Sequence, residues 1–202
     1  MKKTFYWLLG FLLLVIPFGI ISCGESDTDA DLYANWQDRN QHYIDSIAKV
    51  ANANLGSEPG KWKVFHTYKF DAPLSATVNV NDYVYCRVLE EGDGATPLFT
   101  DSVAVDYRGQ LIPLTDGSVV TFDESYTGVL NKETASPSKF LVSKVVVGWT
   151  TALMHMHVGD CWMLYIPYDL GYGKTKSGTI RGYSTLIFDL YLQNVIPLKG
   201  KN

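Results

Sequence analysis

Residues 144–191 set the frame for everything else in this chain. Lys144-Val-Val-Val-Gly-Trp149 opens a short helical run that reaches about Met156, and Val158-Gly159 closes it. A strand-like run follows from Cys161 to Pro167, then a loop marked by Leu170-Gly-Tyr-Gly173, then a second strand-like run from Ser184 to Tyr191. One short helix framed by extended runs predicts an α+β arrangement, a sheet packed on that helix.

The residues upstream supply more strands. Tyr83-Val-Tyr-Cys-Arg-Val-Leu89 precedes a turn at Glu90-Glu-Gly-Asp-Gly94. In residues 102–109, Val103, Val105 and Tyr107 alternate on one face. Asp116-Gly117 is a strong hairpin signal, leading into Ser118-Val-Val-Thr-Phe-Asp123. A loop carrying Gly128, Asn131, Ser136 and Pro137 comes next, then an extended run at residues 140–147. Short hairpins between strands predict an antiparallel sheet. Further upstream, Trp62, Val64, His66, Tyr68 and Phe70 alternate as a strand does, after a turn at Glu58-Pro59-Gly60. Before them, Asp31 reads as an N-cap, with Leu32, Trp36, Tyr43, Ile47 and Val50 near helical spacing and Arg39-Asn40 interrupting the stripe. The apolar face of this helix packs either on its own domain or on a second copy, so a homodimer is one expected partner.

The N-terminus carries an address. Lys2 and Lys3 precede an apolar stretch at residues 5–21, broken by Pro17 and Gly19, as in an export signal. Ile20-Ile21-Ser22-Cys23 resembles a bacterial lipobox, in which Cys23 is acylated; an uncleaved signal anchor is the alternative. The expected organisation is a signal peptide with lipobox (1–22), an acidic tether (23–30), a helix-and-strand extension (31–82) and the main domain (83–198). The lipid would hold the protein on a bacterial cell-envelope membrane, facing the periplasm or the surface. A net charge of −4 leaves no basic footprint, which argues against nucleic acid as a partner. The many aromatics fit either a pocket or a β-rich core. Cys86 and Cys161 either pair, in an oxidising compartment, or are buried strand residues. His155 and His157 are two apart on a helical run, which reads as surface rather than a ligand pair. Neither a metal nor another cofactor is expected.

Several pieces carry a resemblance. Val105-Asp-Tyr107-Arg-Gly109, Phe122-Asp123, Val145-Val-Val-Gly-Trp149, Val158-Gly159, Tyr165-Ile-Pro167, Gly171-Tyr172-Gly173 and Leu186-Ile-Phe188-Asp189 stand in order and near the spacing of an FKBP-type peptidyl-prolyl isomerase. The match covers about residues 83–198. The resemblance implies a curved antiparallel sheet of five or six strands wrapped around a short helix, with the ligand pocket between helix and concave sheet face. Tyr107, Phe122 and Phe188 would then be aromatic walls, Trp149 the floor, and Val145 and Val146 the aliphatic rim. Tyr172 would supply a hydroxyl at the mouth, Asp123 a carboxylate, Phe140 the far edge, and Ile180 an apolar loop contact. The implied activity is isomerisation of X-Pro bonds in exported polypeptides, with the catalytic set Tyr107, Phe122, Asp123, Tyr172 and Phe188. Macrolide inhibitors are implied as further ligands.

Two departures from the family pattern bear on activity. No Arg follows Phe122-Asp123 in Tyr126-Thr-Gly-Val-Leu130, so Tyr107 or Tyr172 is expected to hold the carboxylate. Arg181-Gly182 stands after Ile180 where the family often has two prolines. These departures keep a second class open, a catalytically weak domain serving as a chaperone or protein-binding module.

Overall fold

The computed structural model describes residues 32–69 and 79–198. The signal, Cys23, the tether, Asp31 and Phe70 lie outside them. Among the described residues two α-helices, α1 (Trp36–Asn52) and α2 (Val147–Leu153), accompany seven strands. These are β1 (Trp62–His66), β2 (Tyr83–Glu90), β3 (Ser102–Leu111), β4 (Thr121–Glu124), β5 (Ser138–Leu141), β6 (Cys161–Ile166) and β7 (Leu186–Ile196). The sheet is wholly antiparallel in the order β1-β2-β6-β7-β3-β4, with β5 also on β3.

Residues 83–198 contribute six strands, within the expected five or six, and β1 from the extension adds a seventh by pairing with β2 from Trp62↔Arg87 to His66↔Tyr83. This strand stops at His66, where the Thr67 N–H turns to the Asp82 carbonyl. Within the main domain, β4 and β5 both lie on β3, opposite residues 108–110 and 102–105. They are two stretches of one edge, separated by residues 125–137.

Alternation along β6 and β7 sends Trp162, Leu164, Ile166, Leu186, Phe188, Leu190 and Leu192 into one core against α2. Register shifts at Val88/Glu90, Ala104/Val105 and Gly109/Gln110 bend the sheet around that helix. The opposite face of β1 and β2 is covered by α1, where Ile44, Ala48 and Ala51 meet Trp62 and Tyr85. The sheet is thus clasped between α2 within its curve and α1 outside.

The buried stripe of α1 is Trp36, Asn40, Ile44, Ala48 and Ala51, at steps of four and three. It corrects the expected stripe: Val50 is 53% exposed, while Asn40, read as an interruption, is 1% exposed. Asn40 belongs there because both ends of its amide are hydrogen-bonded. Its Nδ2 donates to the Trp36 carbonyl at 2.7 Å, and its Oδ1 accepts from the Thr185 N–H at 2.7 Å. The helix begins after Asn35, whose φ of 51° puts it in the left-handed region.

Both described cysteines are free and buried. The register explains why. Cys86 pairs with Leu164 on the core face, and Cys161, three residues from Leu164, points to the other face. His155 and His157 are at the surface, His155 stacked on Phe65 with ring centroids 4.1 Å apart. Among the described residues there is no cluster of potential metal ligands and no helix long and apolar enough to cross a membrane.

Candidate functional site

The site grows from α2. Its first turn carries Trp149, 4% exposed, against the concave face of β3 and β7. Three rings meet this indole edge-on: Phe188 at 5.0 Å, Tyr107 at 5.2 Å and Phe140 at 5.5 Å between centroids. Edge-to-face contacts of this kind fix ring planes as well as bury area. Phe122 stands at 90° to Phe188 at 5.5 Å and extends the wall. The Trp149 indole N–H is buried with no hydrogen-bond partner among the described residues.

A cavity of about 240 Å³ opens above this floor. Tyr107, Phe122, Asp123, Phe140, Val145, Val146, Trp149, Tyr172 and Phe188 line it together with Lys144. Nine of the ten residues expected from the sequence therefore meet around one space. The strand order explains this. β3, β4, β5 and β7 each deliver one or two residues to it, and the turn into α2 delivers the valines.

Ile180 is the exception. It is 6% exposed in the main core and does not line the cavity. Ser177 and Ile180 exchange two backbone hydrogen bonds of 2.9 Å, and this tight closure turns the side chain inward. Lys144 was not foreseen. Its position beside Val145 at the entrance to α2 is the signal that sequence reading passed over.

The carboxylate of Asp123 is held as one of the two expected options. The Tyr107 hydroxyl donates to its Oδ2 at 2.9 Å. Burial, then this bond, pushes the Tyr107 phenol well above its usual pKa, so it remains a donor. Burial and the nearby Asp123 charge raise Tyr172 as well. Arg108, one residue from Tyr107, takes no part: its Nε donates to Glu124 at 2.9 Å and its Nη2 to the Gly128 carbonyl at 2.7 Å. Gly109 makes room for the walls, since a Cβ there would lie 2.6 Å from Phe188 and 2.7 Å from Phe122.

Aromatic walls, an indole floor and two phenol groups near one carboxylate make a mainly apolar slot with a few polar groups at its edge. No serine, threonine, cysteine or histidine is among the described residues that line it.

Comparison with known proteins gives one consistent result. A model of the family described as FKBP-type peptidyl-prolyl cis-trans isomerase matches residues 94–193. An FKBP-type 22 kDa peptidyl-prolyl cis-trans isomerase of Escherichia coli is 40% identical over 111 residues, covering 54% of this chain and 48% of the relative. The outer membrane protein MIP of Legionella longbeachae is 38% identical over 110 residues, 54% of this chain and 42% of that protein. The crystal structure of FkpA from Escherichia coli aligns with a TM-score of 0.56 at 30% identity, covering 84% of this chain and 62% of that one. The chain spans about half the length of the curated relatives it matches.

Proposed function

Residues 94–193 belong to the FKBP family of peptidyl-prolyl cis-trans isomerases, and from that premise we propose that this chain accelerates X-Pro isomerisation in exported polypeptides. The observation that carries the proposal is the Trp149 floor, walled by Tyr107, Phe122, Phe140 and Phe188 around one cavity. The uncatalysed barrier of about 18–20 kcal/mol comes from amide resonance, which separates charge across the planar bond. Rotation destroys that resonance, so the twisted amide is less polar than the planar one. An apolar cavity that sheds water favours the twisted state without covalent chemistry.

Each lining group has a distinct part in this reading. Trp149, Phe122 and Phe188 grip the proline ring and hold it still while the preceding carbonyl turns. The Tyr172 hydroxyl at the mouth, with a backbone N–H near Val146, holds flanking carbonyls so that rotation is confined to one bond. Tyr107 fixes Asp123 at the wall, where the carboxylate faces the turning amide.

The test is an isomerisation assay on X-Pro peptides with the chain downstream of Cys23. Acceleration that depends on Phe122 and Asp123 is expected, and no turnover on any X-Pro peptide overturns the reading. A second reading, a weakly catalytic binding module, draws on Ile180 standing in the core rather than at the cavity. Under it, Trp149→Leu would abolish turnover and leave binding of client polypeptides intact.

An envelope location accompanies the activity. Similarity to an outer membrane protein supports it, as do the Lys2-Lys3 leader and the Ile20-Ile21-Ser22-Cys23 sequence. Acylated Cys23 is the proposed anchor. The expected result is that Cys23→Ser moves the protein out of the membrane fraction, and retention there excludes the anchor.

A further inference from the structure

A second cleft, of about 340 Å³, lies between the start of α1 and the loop at residues 173–183. Lys174, Lys176 and Arg181 line it beside Trp36 and Tyr183, with no carboxylate among the described residues that line it. That is a concentration of positive charge on a chain whose formal net charge is −4. The Arg181 guanidinium sits over the Tyr33 ring, 4.1 Å from its centroid, which orients it as well as shields it.

The cleft is built rather than incidental. The Tyr183 N–H closes the loop on the Gly173 carbonyl at 2.9 Å. A Cβ on Gly182 would lie 2.1 Å from the Lys174 carbonyl oxygen, so glycine is required for the two arms to meet. Tyr183 is held at φ 62°, a left-handed conformation that an aromatic residue adopts only when its surroundings impose it. From α1, the Trp36 indole N–H donates to Ser184 Oγ at 3.0 Å, and that hydroxyl donates to the Arg181 carbonyl at 2.7 Å. The cationic loop is therefore set at a fixed place against α1.

The cleft begins two residues along the chain from the aromatic cavity. Tyr172 lines the cavity and Lys174 lines the cleft. Two residues of chain span at most about 7 Å between Cα atoms, so a polypeptide leaving past Tyr172 reaches the cleft within a few residues. Gly173, between them, is pinned by its N–H to the Tyr168 carbonyl at 2.8 Å.

We infer that this cleft is an accessory subsite that takes carboxylate side chains of the polypeptide whose X-Pro bond occupies the cavity. The inference rests on the isomerase reading and adds a substrate preference: acidic residues a few positions away from the proline. Lys174 and Lys176 supply long-range attraction and ammonium donors for the carboxylate.

The experiment compares X-Pro peptides carrying a short Glu run a few residues from the proline with otherwise identical Gln peptides. The full chain in detergent is used, and both kcat/KM and Kd are read for each peptide. The wild type is expected to favour the Glu peptide by about three- to tenfold, chiefly through KM, and to lose the preference as salt is raised. In Lys174→Gln/Lys176→Gln the Glu-to-Gln ratio should fall toward one. A ratio near one in the wild type, or one unchanged in the double variant, overturns the subsite. A chain that binds Glu peptides preferentially yet turns over none of them sinks the isomerase reading and leaves the acidic-peptide site standing. If changing Glu25, Asp27 and Asp29 to amides raises the Glu-peptide affinity severalfold, the cleft belongs to the chain's own acidic run, and the substrate assignment fails.

Discussion

The Tyr107 hydroxyl donates to Asp123 Oδ2 at 2.9 Å, joining β3 to β4 across the wall of the cavity. Tyr107 is 6% exposed while Asp123 reaches solvent, so a buried phenol holds an exposed carboxylate in place. Tyr107→Phe removes the bond and leaves the ring packing intact. Hydrogen bonds to charged groups are worth about 1.5–3 kcal/mol, and solvent at Asp123 reduces that, so kcat/KM should fall about three- to tenfold. Asp123→Ala should fall further. The double variant should match Asp123→Ala alone, because both changes break one unit. Additive losses in an isomerisation assay would mean that Tyr107 acts independently of the carboxylate.

Gly109 makes a sharper steric prediction. A methyl at this position lies 2.6 Å from Phe188 and 2.7 Å from Phe122, closer than carbon atoms pack. Gly109→Ala must push two cavity walls aside, and overpacking of this kind costs about 1–3 kcal/mol. Turnover should suffer more than stability, since both displaced rings line the cavity. Paired measurements of the urea midpoint and kcat/KM decide it. Full activity in a folded Gly109→Ala protein would show that the walls are not where the proline ring binds.

Most of the cavity was legible from the sequence because its residues sit in short motifs whose order the sheet preserves. Phe122-Asp123 places two side chains, Gly148-Trp149 and Gly171-Tyr172 one each, and strand pairing brings them together. What failed depended on contacts distant in the chain. Asn40 reads as a break in an apolar stripe until Thr185, 145 residues away, supplies its partner. Ile180 reads as an apolar loop contact at the pocket until the Ser177–Ile180 closure turns it into the core. The place of β1 depends on register with β2, which alternation alone does not specify.

The cysteines give a chemical prediction. Burial pushes the Cys86 thiol far above its usual pKa, and burial followed by the Asp189 charge pushes Cys161 up to about 12. Neither forms appreciable thiolate near neutral pH, and they face opposite sides of the sheet. Labelling by a thiol reagent should therefore follow the unfolding rate, and oxidant should leave the thermal midpoint unchanged. Fast labelling of either thiol in native protein would contradict this.

Tyrosines govern the alkaline limit. Burial pushes Tyr43 and Tyr85 up to about 12, and burial with a nearby carboxylate raises Tyr107 and Tyr126 further. A folded pKa above the unfolded value of about 10 means that the native state holds the proton more tightly. Their contribution is thus fully present below about pH 10 and is lost as pH rises from there toward the folded values. Urea unfolding followed across the alkaline range should show a falling midpoint that begins near the unfolded tyrosine pKa. A native-state phenolate absorbance rising for all tyrosines together near pH 10, with no change in midpoint, would contradict the burial argument.

Asn40 links α1 to the mouth of the cavity. Its Oδ1 accepts the buried Thr185 N–H, and the adjacent Ser184 receives the Trp36 indole N–H. The Tyr183 N–H, one residue earlier, closes the loop onto Gly173, next to Tyr172. Asn40→Ala strands a buried backbone donor, which costs about 1–3 kcal/mol, and slackens the hold on that loop. Ile44→Ala, one turn further along α1, costs about 2–5 kcal/mol by emptying the packing under β1 and β2 but touches no part of the loop. The two variants should therefore separate in kinetics. Both lower the unfolding midpoint, while only Asn40→Ala raises KM, because only it reaches Tyr172. Equal KM values in the two variants, measured well below their unfolding temperatures, would show that α1 serves stability alone.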